Sequence, residues 1–125
     1  MTAFRSRPFT SVLFVMLAAL PALGQQAIAV GDLVHNPGRY DKQIISVTGT
    51  IAQYRERLSE RGNPYTTFRL RDAAAEVSVF VWKHQGLGNG LRVRVVGTFS
   101  TVRRLGGYIF YNEIEAQSLA ILKRR

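Results

Sequence analysis

From residue 44 onward apolar and polar side chains alternate with a period of two, the pattern of strands buried on one face. Ile45, Val47, Gly49 and Ile51 alternate with Ser46, Thr48 and Thr50, which predicts a first strand running toward Tyr54. Thr66, Phe68 and Leu70 alternate with Tyr65, Thr67, Arg69 and Arg71 as a second strand; Val77, Val79 and Val81 alternate with Ser78, Phe80 and Trp82 as a third. Leu91, Val93 and Val95 alternate with Arg92 and Arg94 as a fourth strand, reaching Gly97 and Phe99. Tyr108 to Ala116 reads as a fifth strand, followed by an apolar tail from Ser118 to Leu122. Between them the pattern predicts a charged loop from Arg55 to Asn63 and a short connection from Asp72 to Ala75. A loop from Lys83 to Asn89 has room for one helical turn, and Thr101 to Gly107 reads as a basic loop. Ahead of the strands, residues 30–37 suit a short helical turn, capped by Asp32 and ended by Pro37-Gly38.

The first residues follow a different rule. Arg5 and Arg7 precede an unbroken apolar run of nine, Val12 to Leu20, then Pro21 and the small-residue site Ala22-Leu23-Gly24. This is the three-part pattern of a secretory signal. A membrane-spanning helix needs about 20 apolar residues, so the run is too short for one. The expected division is a cleaved signal over residues 1–24 and one domain over 25–125, with cleavage after Ala29 as the alternative site. No stable membrane span is expected after cleavage, and the mature chain is expected to be periplasmic or secreted.

Composition narrows the chemistry. The whole chain has 125 residues and a formal charge of +9; losing the two signal arginines leaves +7 on the mature part. It contains no cysteine, which removes disulfides, thiol catalysis and thiolate metal sites. His35 and His84 lack ligand-spaced neighbours, and both methionines, Met1 and Met16, lie in the signal, so neither zinc nor copper is expected. Gly86-x-Gly88-x-Gly90 does not match the spacing of a phosphate-binding loop. The eight acidic residues are scattered, which argues against a metal-dependent nuclease. No cofactor and no catalysis are expected.

Five short strands separated by turn signals indicate a small barrel or sandwich. Glycines inside strands, at 49 and 97, are suited to the kinks that curl a small sheet. The fold class expected is all-β: a five-stranded OB-fold barrel with a short N-terminal helical turn. Four ordered pieces sharpen this: Val47-x-Gly49-x-Ile51, Gly62-x-x-Tyr65-x-x-Phe68-x-Leu70-x-Asp72, Val77-x-Val79-Phe80, and Gly90-x-x-Val93-x-Val95-x-Gly97. Together they resemble the OB-fold nucleic-acid-binding domain of the anticodon-binding type, over roughly Asp32 to Ala116. One departure is Ala73-Ala74-Ala75, where that family often has a glycine soon after the aspartate. In size and signal the chain also resembles exported single-domain OB proteins of bacterial envelopes. The resemblance implies single-stranded nucleic acid as ligand.

If Phe68, Leu70, Val77, Val79, Val81, Val93 and Val95 fill the interior, their neighbours point outward. The outer faces of strands two and three are where OB folds take oligonucleotides and oligosaccharides. Candidate ligand contacts there are Tyr65, Arg69, Arg71, Phe80 and Trp82, with Arg92 on strand four and Arg103 and Arg104 at the edge. Rings can stack on bases or sugars, and guanidinium groups can pair with phosphates. Phe80 and Trp82 could instead lie under the N-terminal turn, the tail or a second subunit. Arg55, Arg57 and Arg61 add charge in the first loop, where Glu56 and Glu60 could neutralise them; Arg103-Arg104 has no acid near it in sequence. A positive surface attracts nucleic acid, anionic lipid headgroups or other polyanions. The alternative occupant of the aromatic face is an envelope protein partner.

Overall fold

The computed structural model describes residues 26–73 and 75–123. The expected signal segment and the choice of cleavage site lie outside the described residues. In chain order the elements are β1 (Gln26–Ala27), α1 (Val30–His35), α2 (Pro37–Tyr40), β2 (Ile44–Leu58), β3 (Pro64–Asp72), β4 (Ala75–Trp82), β5 (Arg92–Leu105) and β6 (Tyr108–Lys123). The five predicted strands are β2 to β6. No helix among the described residues is long and apolar enough to cross a membrane.

The strand pairings follow a ring. β2 pairs antiparallel with β3 and β5, β3 with β4 and β5 with β6, while β4 meets β6 in parallel through Ser78↔Glu113, Val79↔Ile114 and Phe80↔Glu115. β2 is shared along its length: Ile44 to Thr50 pairs with β5, and Thr50 to Leu58 with β3, so Thr50 sits opposite both Arg92 and Arg71. That double pairing demands close backbone approach. A Cβ on Gly49 would lie 2.5 Å from the Arg71 carbonyl oxygen, and one on Gly97 would meet the Glu115 carbonyl. Gly97 also marks a register shift between β5 and β6, the extra residue by which a strand bends.

Alternation along each strand fills one interior. All seven side chains expected inside are buried, and Ile45, Phe99 and Ile114 join them with no exposed surface. α1 buries Val30 and Leu33 against β3 and β4. Asp32 lies in the first turn of α1, not at its cap; Ala29 holds the cap position without a side-chain hydrogen bond. Pro37 ends α1 and opens α2, whose first turn has no use for its missing N–H.

The strands outrun their expected ends. Residues 55–58 continue β2, because Arg55↔Thr67 through Leu58↔Pro64 extend the ladder, and only Ser59 to Asn63 turns. Residues 101–105 continue β5 opposite Tyr108 to Tyr111, which leaves Gly106-Gly107 as a two-residue hairpin turn with φ +61° at Gly106. The tail from Ser118 belongs to β6. Backbone pairing outweighs the charge of these segments, since solvent still reaches their side chains on the outer faces. The 83–91 connection contains no helix.

Candidate ligand-binding groove

The β2–β3 and β5–β6 hairpins stand on either side of the outer face of β3 and β4. Between them runs a groove of about 900 Å³. Arg55, Arg57 and Arg61 line one wall; Leu105, Tyr108 and Phe110 line the other. Tyr65, Phe80 and Trp82 form the floor, where cross-strand register places Tyr65 beside Trp82 and Thr67 beside Phe80.

The floor is an aromatic cluster. The Tyr65 and Phe80 rings stack with centroids 5.2 Å apart, and Trp82 meets Phe80 edge-on at 4.9 Å. Trp82 and Tyr108 keep 39% and 62% of their surface exposed, so both present ring surface to a ligand. Phe80 faces outward from the strand as the alternation requires, yet it is buried. Its cover is Arg103, whose guanidinium carbon lies 4.4 Å over the ring centroid and 5.8 Å from that of Phe110. Neither the N-terminal turn nor the tail is needed to cover it.

Arg103 therefore does not stand free at the edge. Its Nη1 donates to Glu113 Oε1 at 2.7 Å, and its Nε lies 3.4 Å from Glu115 Oε1. The side chains of Arg103 and Glu113 are 12% and 5% exposed. The acids absent from the Arg103 neighbourhood in sequence come from β6, across the hairpin. The two-residue glycine turn carries that signal: it sets Ser100 opposite Glu113 and puts Arg103 within an arm's length of it. Burial pushes the Glu113 carboxyl above the ordinary glutamate range, while the charge of Arg103 opposes that shift.

The other arginines separate into tied and untied arms. Arg69 lines the groove, but its Nε and Nη2 donate to Glu76 and its Nη1 to Ser78 Oγ at 2.6 Å. Arg71 donates to the same carboxylate at 2.8 Å, and these hydrogen bonds, from Arg71 first and then Arg69, hold Glu76 below the usual glutamate range. Arg71 and Arg92 flank Thr50 and are not part of the groove wall; Arg103 and Arg104 border a second, smaller hollow with Lys42 and Trp82. By contrast, Arg55, Arg57 and Arg61 form no ion pair among the described residues. Of the two acids expected to neutralise them, Glu60 lines the same wall without forming an ion pair among the described residues, and Glu56 turns away. It accepts hydrogen bonds from the Tyr54 hydroxyl at 2.7 Å and the Gly86 amide at 2.9 Å, which hold its carboxyl below the usual range, and so ties the 83–91 connection to β2.

Of the eight candidates, Tyr65, Arg69, Phe80 and Trp82 line the groove. Leu105, Tyr108, Phe110 and Glu113 line it too and were not among the candidates, because residues 101–107 look like a loop by composition and only their pairing with β6 carries these side chains to the groove. Among the described residues no three His, Asp or Glu side chains gather as metal ligands. The arrangement offers stacking surface, hydrogen bonding and positive charge.

No protein-family model and no curated protein matches the chain. Solved structures do. A putative aspartyl-tRNA synthetase from Leishmania major Friedlin superposes with a TM-score of 0.63 at 12% identity, and yeast Stn1 and Ten1 with 0.61 at 9%, each over 80% of this chain. The fold is an OB fold. The OB domain of a Thermoplasma acidophilum protein also matches, with a TM-score of 0.49 at 16% identity, over 80% of this chain and 90% of that one. The chain spans 21% of the synthetase and 64% of the yeast chain. Identities this low speak to fold alone.

Proposed function

We propose that this protein is an exported, non-catalytic OB module that binds single-stranded nucleic acid in the groove between its two hairpins. The observation that carries the reading is the pairing of three untied guanidinium arms on one wall with exposed rings on the floor and the opposite wall. That is the chemistry single strands call for: cations along the phosphates and π-faces for the bases. The groove also lies on the face that OB folds use for oligonucleotides. Arg55, Arg57 and Arg61 take phosphates; Trp82, Tyr65 and Tyr108 take bases. Arg103 holds the floor together and contributes no phosphate contact. The export reading rests on the signal pattern of residues 1–24, and a mature N-terminus at Gln25 on the secreted protein is its check.

Trp82 is the sole tryptophan of the chain, so its fluorescence reports the groove directly. Titration with a single-stranded oligonucleotide should quench it. Three phosphate contacts predict that log affinity falls with log salt at a slope of about −2, at roughly 0.7 per phosphate for single strands. A salt-independent change, or none, would refute the reading. A second reading, an envelope protein partner, draws support from Ile109 and Tyr111, which are 48% and 68% exposed near the β5–β6 tip. Such a contact would show little salt dependence.

A further inference from the structure

We infer that Glu113 makes this groove prefer bases bearing an exocyclic amino group over thymine and uracil; the inference rests on the nucleic-acid reading above. Glu113 is a carboxylate lining a groove whose opposite wall carries arginines. Its Oε1 accepts from Arg103. Among the described residues no buried side-chain oxygen or nitrogen lacks a partner, and Glu113 makes no second hydrogen bond. Its other oxygen therefore keeps some contact with solvent, and the residue that carries it lines the groove. β6 fixes its place, because Glu113 pairs with Ser78 of β4, beside the aromatic floor.

A strand lying in the groove is oriented by these charges. Its phosphates go to the wall where Arg55, Arg57 and Arg61 outnumber Glu60, and its base edges turn toward β6. An ionised carboxylate is purely an acceptor. It takes an N–H from cytosine N4, adenine N6 or guanine N2, as acidic side chains do when they read cytosine. Thymine and uracil have only ring N–H, flanked by carbonyl oxygens that a carboxylate repels. Arg103 is a positioning residue: it favours the charged form of Glu113 and fixes its rotamer, with Glu115 as its second partner.

The test uses oligo(dC) and oligo(dT) of equal length at neutral pH, read by Trp82 quenching and by anisotropy of a labelled strand. The two strands carry equal charge; their bases differ in the exocyclic group, in N3 protonation and in the 5-methyl, so the Glu113 variants are what isolate the amino contact. A hydrogen bond to a charged acceptor supports about tenfold tighter binding of oligo(dC). Glu113→Gln, whose amide both donates and accepts, should bring the ratio close to one, with folding checked by thermal melt. Glu113→Asp, which keeps the charge but withdraws it, is the second variant and should shrink the ratio too. Equal affinities in the natural protein overturn the selectivity and leave the binding reading standing; no binding of either strand overturns both. A ratio that persists in folded Glu113→Gln overturns the role of Glu113.

Discussion

Arg103→Met removes the charge that covers Phe80 and leaves Glu113 with no partner in a site where its side chain is 5% exposed. Breaking a buried ion pair from one side costs about 3–5 kcal/mol, because the remaining charge keeps its desolvation penalty. Losing the guanidinium over Phe80 adds up to about 2 kcal/mol, partly offset by the apolar methionine side chain. For a domain of this size each kcal/mol moves the melt by about 4–8 °C, so the variant should melt at least about 12 °C lower near neutral pH. The loss should depend on pH. The folded Glu113 carboxyl titrates above its unfolded value even with Arg103 present, so the folded state holds more protons between the two values and stability falls as pH rises through them. Without Arg103 the folded value climbs further, and the window widens toward neutrality. Melts followed by circular dichroism at about pH 5 and about pH 7.5 should therefore show the smaller deficit at the acid end. Adding Glu113→Leu should recover most of the loss, since replacing both partners by apolar groups is close to neutral. A drop of only a few degrees, equal at both pH values and untouched by the second substitution, would show Arg103 to be an ordinary surface cation. Its substitution should then flatten the salt slope of binding by about one unit, as a phosphate contact would.

Trp82→Ala should weaken oligonucleotide binding roughly ten- to hundredfold, the range for one base on one ring, measured with a labelled strand; unchanged affinity would remove Trp82 from the site. Gly49→Ala drives a Cβ to 2.5 Å from the Arg71 carbonyl oxygen, which is backbone and yields little, so it should cost about 1–3 kcal/mol in a denaturant melt. Ala73 holds a left-handed φ of +39°, so Ala73→Gly should raise stability by about 0.5–1 kcal/mol, and a loss would show that the turn bears no strain.

Period-two alternation was enough to assign the five strands and their inward residues, because a strand buried on one face must repeat its apolar positions every second residue. Phe68, Leu70, Val77 and Val93 are inside for that reason, and nothing distant alters it. Gly49 and Gly97 were legible as bends, since only a residue without Cβ tolerates such backbone approach. Strand ends and the state of each charge were not legible. Residues 55–58 and 101–105 look like loops by composition, and become strand because a partner across the hairpin supplies their hydrogen bonds. Arg103, with no acid beside it in sequence, is paired from β6, while Arg55 and Arg57, with Glu56 between them, stay unpaired because Glu56 turns to Tyr54 and Gly86. Local sequence dictates which way a side chain leaves its strand. What it meets there is decided by tertiary pairing, which brings together residues that pattern alone keeps far apart.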